Sequence, residues 1–300
     1  MPVEGSNAFT INTPKEFSFE ECLTFLERSP DEALHVVSNG RVLKLLEIEN
    51  EFVLISLSRR RDRIKVEVLN HVLNKVLQST ITNFVKDWFD LCTELKSFYM
   101  LGKNDEVMRN LINRYYGLRI IGIPDLFEAI SWAIIGQHIN LKFAYKLKKR
   151  FVEQYGKKYS YDRIYYFLFP SREVVLNLKP EELMNLQFTR KKAEHIINLS
   201  KIMLNGYLSK DSLLSEKELP MVKNKLLEIK GVGNWTMNYV LMKCLNNKTA
   251  FPFEDVGLHN AIRIQYKLKQ KPTLEEIKKL FKNWEGWEAY ATFYFWRSLI

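Results

Sequence analysis

Two glycines one residue apart, set between apolar helical stretches, constrain this 300-residue chain more than any other feature. They lie in Leu226-Leu227-Glu228-Ile229-Lys230-Gly231-Val232-Gly233-Asn234-Trp235-Thr236. Leu226, Leu227 and Ile229 close a short apolar helix. Gly231 and Gly233 permit φ > 0 and leave no Cβ over the turn. A second helix starts near Asn234. Turn amides followed by a helix N-terminus form a cradle for an anion such as phosphate. Trp235 and Tyr239 are four residues apart, so they share one face of that second helix. The loop Phe251-Pro252-Phe253-Glu254 then delivers Asp255 to the start of a third helix, Val256 to Tyr266. There the helix dipole and free N–H groups favour a negative charge.

These parts, in this order, resemble the helix-hairpin-helix plus Gly/Pro-Asp signature of a DNA glycosylase superfamily. The nearest branch in pattern is the bacterial DNA-3-methyladenine glycosylase II family. The resemblance implies that Asp255 is the catalytic carboxylate and that Trp235, Tyr239 and Trp287 line the pocket for an extruded base. Lys230, Gly231 and Gly233 are then DNA contacts of the hairpin. The backbone carbonyls of Leu227, Ile229 and Val232 fall where the family often holds a monovalent cation, Na or K. A second signature, Ile135-Gly136-Gln137-His138-Ile139, leaves a long apolar helix. Its match places Gln137 and His138 at the DNA, with His138 where relatives insert a wedge into the base stack. Relatives that also cut the strand carry a Schiff-base lysine two residues after the second hairpin glycine. This chain has Trp235 there.

Charge and cysteine usage agree with a polyanionic partner and a reduced compartment. Lys and Arg number 45 against 35 Asp and Glu, a net charge of +10. Such an excess suits nucleic acid or an anionic membrane surface. Cys22, Cys92 and Cys244 are too few and too scattered for a disulfide framework or a four-cysteine metal site. With no cysteine after Cys244, the iron–sulfur cluster of some relatives is not expected. His35, His71, His138, His195 and His259 show no metal-ligand spacing. The N-terminal residues lack a signal pattern, and no apolar run reaches membrane length.

The chain divides by pattern. From about Phe9 to Val68, alternating strands (Ala33–Val37, Arg41–Leu46, Phe52–Leu57, Ile64–Val68) surround an Asn39-Gly40 turn. A short helix over Ser18–Leu26 begins with a capping Ser18. Arg59, Arg60, Arg61 and Arg63 read as a solvated hairpin tip. Helices are expected over His71–Gln78, Thr82–Phe98, Asp125–Asn140, Lys142–Tyr155, Glu181–Leu186 and Lys191–Leu204, and near the C-terminus. The expected fold is mostly α, with an N-terminal antiparallel α+β domain over 1–115 and an all-α glycosylase region over 116–300. The expected activity is monofunctional excision of alkylated, cationic purines of the 3-methyladenine type from double-stranded DNA, in base excision repair. It would need no cofactor and act as a monomer in the bacterial cytoplasm. Two alternatives stand beside it: a non-catalytic hairpin DNA-binding module, and a glycosylase for oxidised bases.

Overall fold

The computed structural model describes residues 7–300. Five strands form one antiparallel sheet: β1 (Ala8–Asn12), β2 (Val36–Ser38), β3 (Arg41–Ile48), β4 (Glu51–Arg60) and β5 (Arg63–Val68), in spatial order β1-β5-β4-β3-β2. Asn39 and Gly40 take φ of 52° and 69°, as a two-residue type I′ hairpin turn requires. On β5, Ile64, Val66 and Val68 alternate inward with a period of two. The helix α1 (Phe19–Leu26) covers that face, capped by Ser18, whose hydroxyl accepts from the Glu21 amide at 3.2 Å. The arginine run is an exposed tip, where Arg59 pairs with Glu20 at 2.8 Å and Thr13 donates to the Asp62 carbonyl at 2.6 Å.

The chain then turns helical: α2 (Lys75–Trp88), α3 (Lys96–Gly102), α4 (Glu106–Arg114), α5 (Leu126–Gly136) and α6 (Leu141–Tyr155). After a small hairpin, β6 (Lys158–Tyr161) and β7 (Ile164–Phe167), come α7 (Arg172–Leu176), α8 (Pro180–Asn185), α9 (Arg190–Leu204), α10 (Lys210–Leu214) and α11 (Leu219–Leu227). The chain closes with α12 (Asn234–Lys243), α13 (Val256–Gln265), α14 (Leu274–Phe281) and α15 (Glu288–Arg297). The mostly α architecture behind an antiparallel sheet is as expected.

Three local expectations change. His71–Gln78 and Thr82–Phe98 are not two helices. Asn74 caps a single helix, α2, by accepting from the Leu77 amide at 2.8 Å, and it runs unbroken through Ser79-Thr80. It stops before Asp90, whose φ of 45° no helix accommodates. The strand β1 is too short to be conspicuous in the sequence. The β6–β7 hairpin turns through Asp162 and Arg163, both at positive φ, with no glycine to announce it. Its Tyr166 packs on Leu45 and Leu54, behind the main sheet.

The helix α5 is the axis of the helical region. Nine of its residues, Leu126, Phe127 and Ala129 through Ile135, are buried. An all-round apolar helix of this kind must be wrapped by others, and α6, α9 and α12 pack around it. Buried Arg119 ties the sheet unit to the helices, donating to the carbonyls of Glu16 (2.9 Å) and Asp90 (3.3 Å). Its fixed guanidinium suits three carbonyls at once, Thr93 being the third.

Candidate active site

The turn between α11 and α12 uses only one of its glycines for conformational freedom. Gly231 sits at φ +89°, and a Cβ there would lie 2.4 Å from the His195 ring. Gly233 is the N-cap of α12, with extended backbone and open space above it. The expectation that both glycines supply φ > 0 is therefore corrected. At Gly233 the missing side chain leaves the amide approachable. Lys230 and Gly233 are exposed, so this edge faces outward.

Asp255 caps α13. Its Oδ1 accepts from the Leu258 amide at 2.7 Å and from Trp296 Nε1 at 2.9 Å, and its Oδ2 accepts from Trp235 Nε1 at 3.0 Å. Two indoles from two helices thus aim the carboxylate, while a helix N-terminus supplies a third donor. Oδ2 retains unused acceptor capacity, and the residue is half-buried, so the carboxylate is presented rather than sealed in.

Aromatic rings stand beside it. Trp235 and Tyr239 lie 5.5 Å apart between ring centroids, and Tyr239 and Trp296 lie 6.2 Å apart. Trp132 of α5 donates to the Tyr239 hydroxyl at 2.8 Å and fixes that ring. Burial raises the Tyr239 phenol above its ordinary range, so it remains a neutral O–H.

Trp287, expected in this pocket, is not in it. It precedes α15 and packs on Phe98 (5.9 Å) and Tyr290 (5.9 Å), with the Lys248 ammonium 4.4 Å above its ring. Trp296 lies nine residues further on, about 13 Å along the axis at 1.5 Å per residue. Trp296 is the tryptophan of this helix that reaches Asp255. The sequence offered three tryptophans in this region, and only the path of α15 past Tyr239 separates them.

Gln137 also differs from its expected place. Its side-chain amide donates to the Gly231 carbonyl and to Thr236 Oγ1, each at 2.8 Å. It fastens the exit of α5 to the hairpin turn. Beside it, buried Lys192 donates to the carbonyls of Ile135 (2.8 Å) and Gln137 (2.7 Å). A cation at a helix C-terminus is favourable, and sequence reading gave Lys192 no role. His138, next in the chain, is exposed at φ +57°. A non-glycine residue held left-handed costs of order 1–3 kcal/mol, and such strain gathers at functional loops.

Of the three hairpin carbonyls, those of Leu227 and Val232 accept no hydrogen bond among the described residues, while that of Ile229 accepts from the Val232 amide at 3.0 Å. Oxygen donors of this kind fit a hard monovalent cation. Among the described residues no cluster of His, Cys, Asp and Glu could hold a metal. No helix among them is long and apolar enough to cross a membrane.

A glycine turn that exposes backbone amides, an aspartate aimed by two indoles, and aromatic rings beside it define the helix-hairpin-helix Gly/Pro-Asp class of DNA glycosylase. Comparison with known proteins agrees. Residues 131–286 match the HhH-GPD superfamily base excision DNA repair protein model, and residues 11–130 match the 8-oxoguanine DNA glycosylase, N-terminal domain. The chain is similar to the DNA-3-methyladenine glycosylase of Bacillus subtilis (strain 168), 38% identical over 300 residues, covering 99% of this chain and 98% of that protein. Its fold is similar to the 3-methyladenine DNA-glycosylase from Archaeoglobus fulgidus (TM-score 0.81, 23% identity, 96% of this chain and 97% of that one). It is also similar to a Clostridium acetobutylicum 8-oxoguanine glycosylase/lyase (TM-score 0.76, 15% identity, 98% and 95%). The chain belongs to the HhH-GPD superfamily of base excision DNA repair proteins, and it is a DNA glycosylase.

Proposed function

We propose that this glycosylase removes alkylated, cationic purines of the 3-methyladenine type from double-stranded DNA by hydrolysis alone, leaving an abasic site. The observation that carries the reading is Trp235. It stands where strand-cutting relatives place their lysine, and its indole binds Asp255 at 3.0 Å. An indole offers no amine for a Schiff base.

The reaction follows from the site. The target base must leave the stack before its glycosidic bond can be reached. Exposed His138 fills the gap it leaves, and the hairpin amides at Gly231 and Gly233, with Lys230, hold a backbone phosphate. Carbonyls of Leu227, Ile229 and Val232 would hold a Na or K ion, which adds positive charge beside that phosphate. The rings of Trp235, Tyr239 and Trp296 attract the cationic base, an interaction worth about 0.5–2 kcal/mol. As the C1′–N bond breaks, its electron pair goes to the base nitrogen and neutralises the ring. No general acid is then required. Positive charge grows on the sugar, as in glycoside hydrolysis, and the Asp255 carboxylate stabilises it. Water adds to C1′ and loses its proton towards that carboxylate. The protein acts as a monomer in the cytoplasm.

The B. subtilis relative, at 38% identity over nearly the whole chain, supports the alkylpurine reading over the oxidised-base one. Asp255→Asn tests the mechanism, because it keeps shape and removes charge. Base release should fall at least about 100-fold, roughly 2.7 kcal/mol of barrier, with DNA binding retained. Near-normal release would take Asp255 out of the chemistry.

A further inference from the structure

A cavity of about 90 Å³ lies between the sheet unit and the helices, walled by Tyr239 and Trp132 and reaching Lys243. It is smaller than the ~300–1,000 Å³ of sites that enclose a whole ligand, so it takes an edge of a ring. Of its three carboxylates, Glu32 is spent, with Lys148 donating to both oxygens (2.8 and 2.7 Å) and the amides of Ala33 and Leu34 adding two more bonds; Asp125 caps α5, and Glu128 faces the charges of Lys44 and Lys148. Two cations are not spent. Lys243 is 3% exposed, and its Nζ lies over the rings of Phe25 (5.1 Å) and Phe293 (4.8 Å) with no hydrogen-bond acceptor among the described residues. Arg28 stacks 3.9 Å over Phe25, gives one N–H to the Phe25 carbonyl and interacts with the Tyr145 hydroxyl, keeping further donors. The Tyr239 hydroxyl accepts from Trp132, and its own proton has no acceptor.

A buried cation without an acceptor is costly unless something outside the fold supplies one. The placement says what that is. Trp235, Tyr239 and Lys243 recur every four residues along one face of α12, about 6 Å per step. A base stacked on the first two, with its sugar bond at Asp255, points its far edge at the third.

We propose that Lys243 and Arg28 form the floor of the base pocket and read a carbonyl oxygen on the extruded purine. Alkylated guanines, with a 6-keto group, are then better substrates than alkylated adenines, with a 6-amino group. An amino edge meets Arg28, which has donors only. Burial, and next the Arg28 charge, pull Lys243 well below the ordinary lysine range. That shift lowers the cost of holding the nitrogen beside a cationic ring, and its N–H groups donate in either protonation state.

The inference rests on the alkylpurine reading, and one experiment separates the two. DNA treated with dimethyl sulfate contains 7-methylguanine and 3-methyladenine together, and both free bases are quantified by chromatography after reaction with wild type, Lys243→Met and Arg28→Met. Each variant should lower the ratio of guanine to adenine product about 10- to 100-fold, the loss of a buried hydrogen bond. Lys243→Met removes a buried amine that has no hydrogen-bond acceptor, so its Tm should equal or exceed that of wild type. An unchanged ratio in either folded variant overturns the proposal. A wild type that releases neither base overturns the alkylpurine reading, and this inference with it.

Discussion

Trp296→Phe keeps an aromatic ring beside Tyr239 and deletes a single donor to Asp255, the 2.9 Å bond to Oδ1. A hydrogen bond to a charged group is worth about 1.5–3 kcal/mol. If Trp296 holds the carboxylate in its reacting orientation, most of that energy is lost at the transition state, and kcat/KM should fall about 10- to 150-fold. Trp287→Phe is the matched control. Trp287 is equally aromatic and 6% exposed, yet its neighbours are Phe98, Tyr290 and Lys248. That variant should lose stability through packing and keep kcat/KM within about threefold. The assay is single-turnover release of radiolabelled base from methylated duplex, with DNA binding and Tm measured alongside. Equal rate losses in the two variants, or full activity in Trp296→Phe, would refute the assignment of Trp296 over Trp287.

Two further outcomes follow from the geometry. Gly231→Ala should cost about 1–3 kcal/mol of stability, from its φ of +89° and the His195 ring against the new Cβ. Gly233→Ala should cost less than about 1 kcal/mol and show its effect in DNA affinity; urea unfolding and filter binding separate the two. His35 gives stability a pH dependence. Burial, and after it the Lys44 charge, lower it from 6.5 to about 4, although its Nε2–H is held at 3.1 Å by the Leu26 carbonyl. Below pH 6.5 the unfolded chain takes up a proton that the folded chain refuses. Stability is therefore full above 6.5 and is lost as the pH falls towards 4. The protein should be up to about 2 kcal/mol less stable at pH 5 than at pH 7, and His35→Gln should remove most of that slope.

The hairpin, Asp255 and the Trp235–Tyr239 pair were legible because their geometry is local. Spacing of four places two rings on one helix face, and a residue before an apolar helix caps it. The four expected strands, the first of them shifted to Val36–Ser38, and the α1 cap were legible for the same reason. What was not legible depends on elements distant in sequence. Trp296 meets Asp255 across 41 residues, and Lys192 meets the end of α5 across 57 and 55. No periodicity separates Trp284, Trp287 and Trp296, since all three sit in one aromatic-rich stretch. Gln137 carries a side chain that suits either DNA or a neighbouring carbonyl, and only packing of α5 against the hairpin decides between them. The unpaired state of Lys243 was invisible because a lysine in sequence reads as surface.

The central claim is hydrolysis of an alkylpurine without strand cutting, and one measurement meets it directly. Methylated duplex is incubated with the protein at neutral pH, and half is quenched with borohydride. Released base and labelled strand are then resolved on a denaturing gel before and after alkali. The expected products are free alkylated purine and a full-length strand that breaks only on alkali, with no covalent protein–DNA adduct. Lys230 lies before the hairpin turn and Lys243 about 12 Å along α12 from Trp235, so neither takes the place of the missing amine. Strand scission without alkali, with a trapped adduct that disappears when one lysine is replaced, would contradict it.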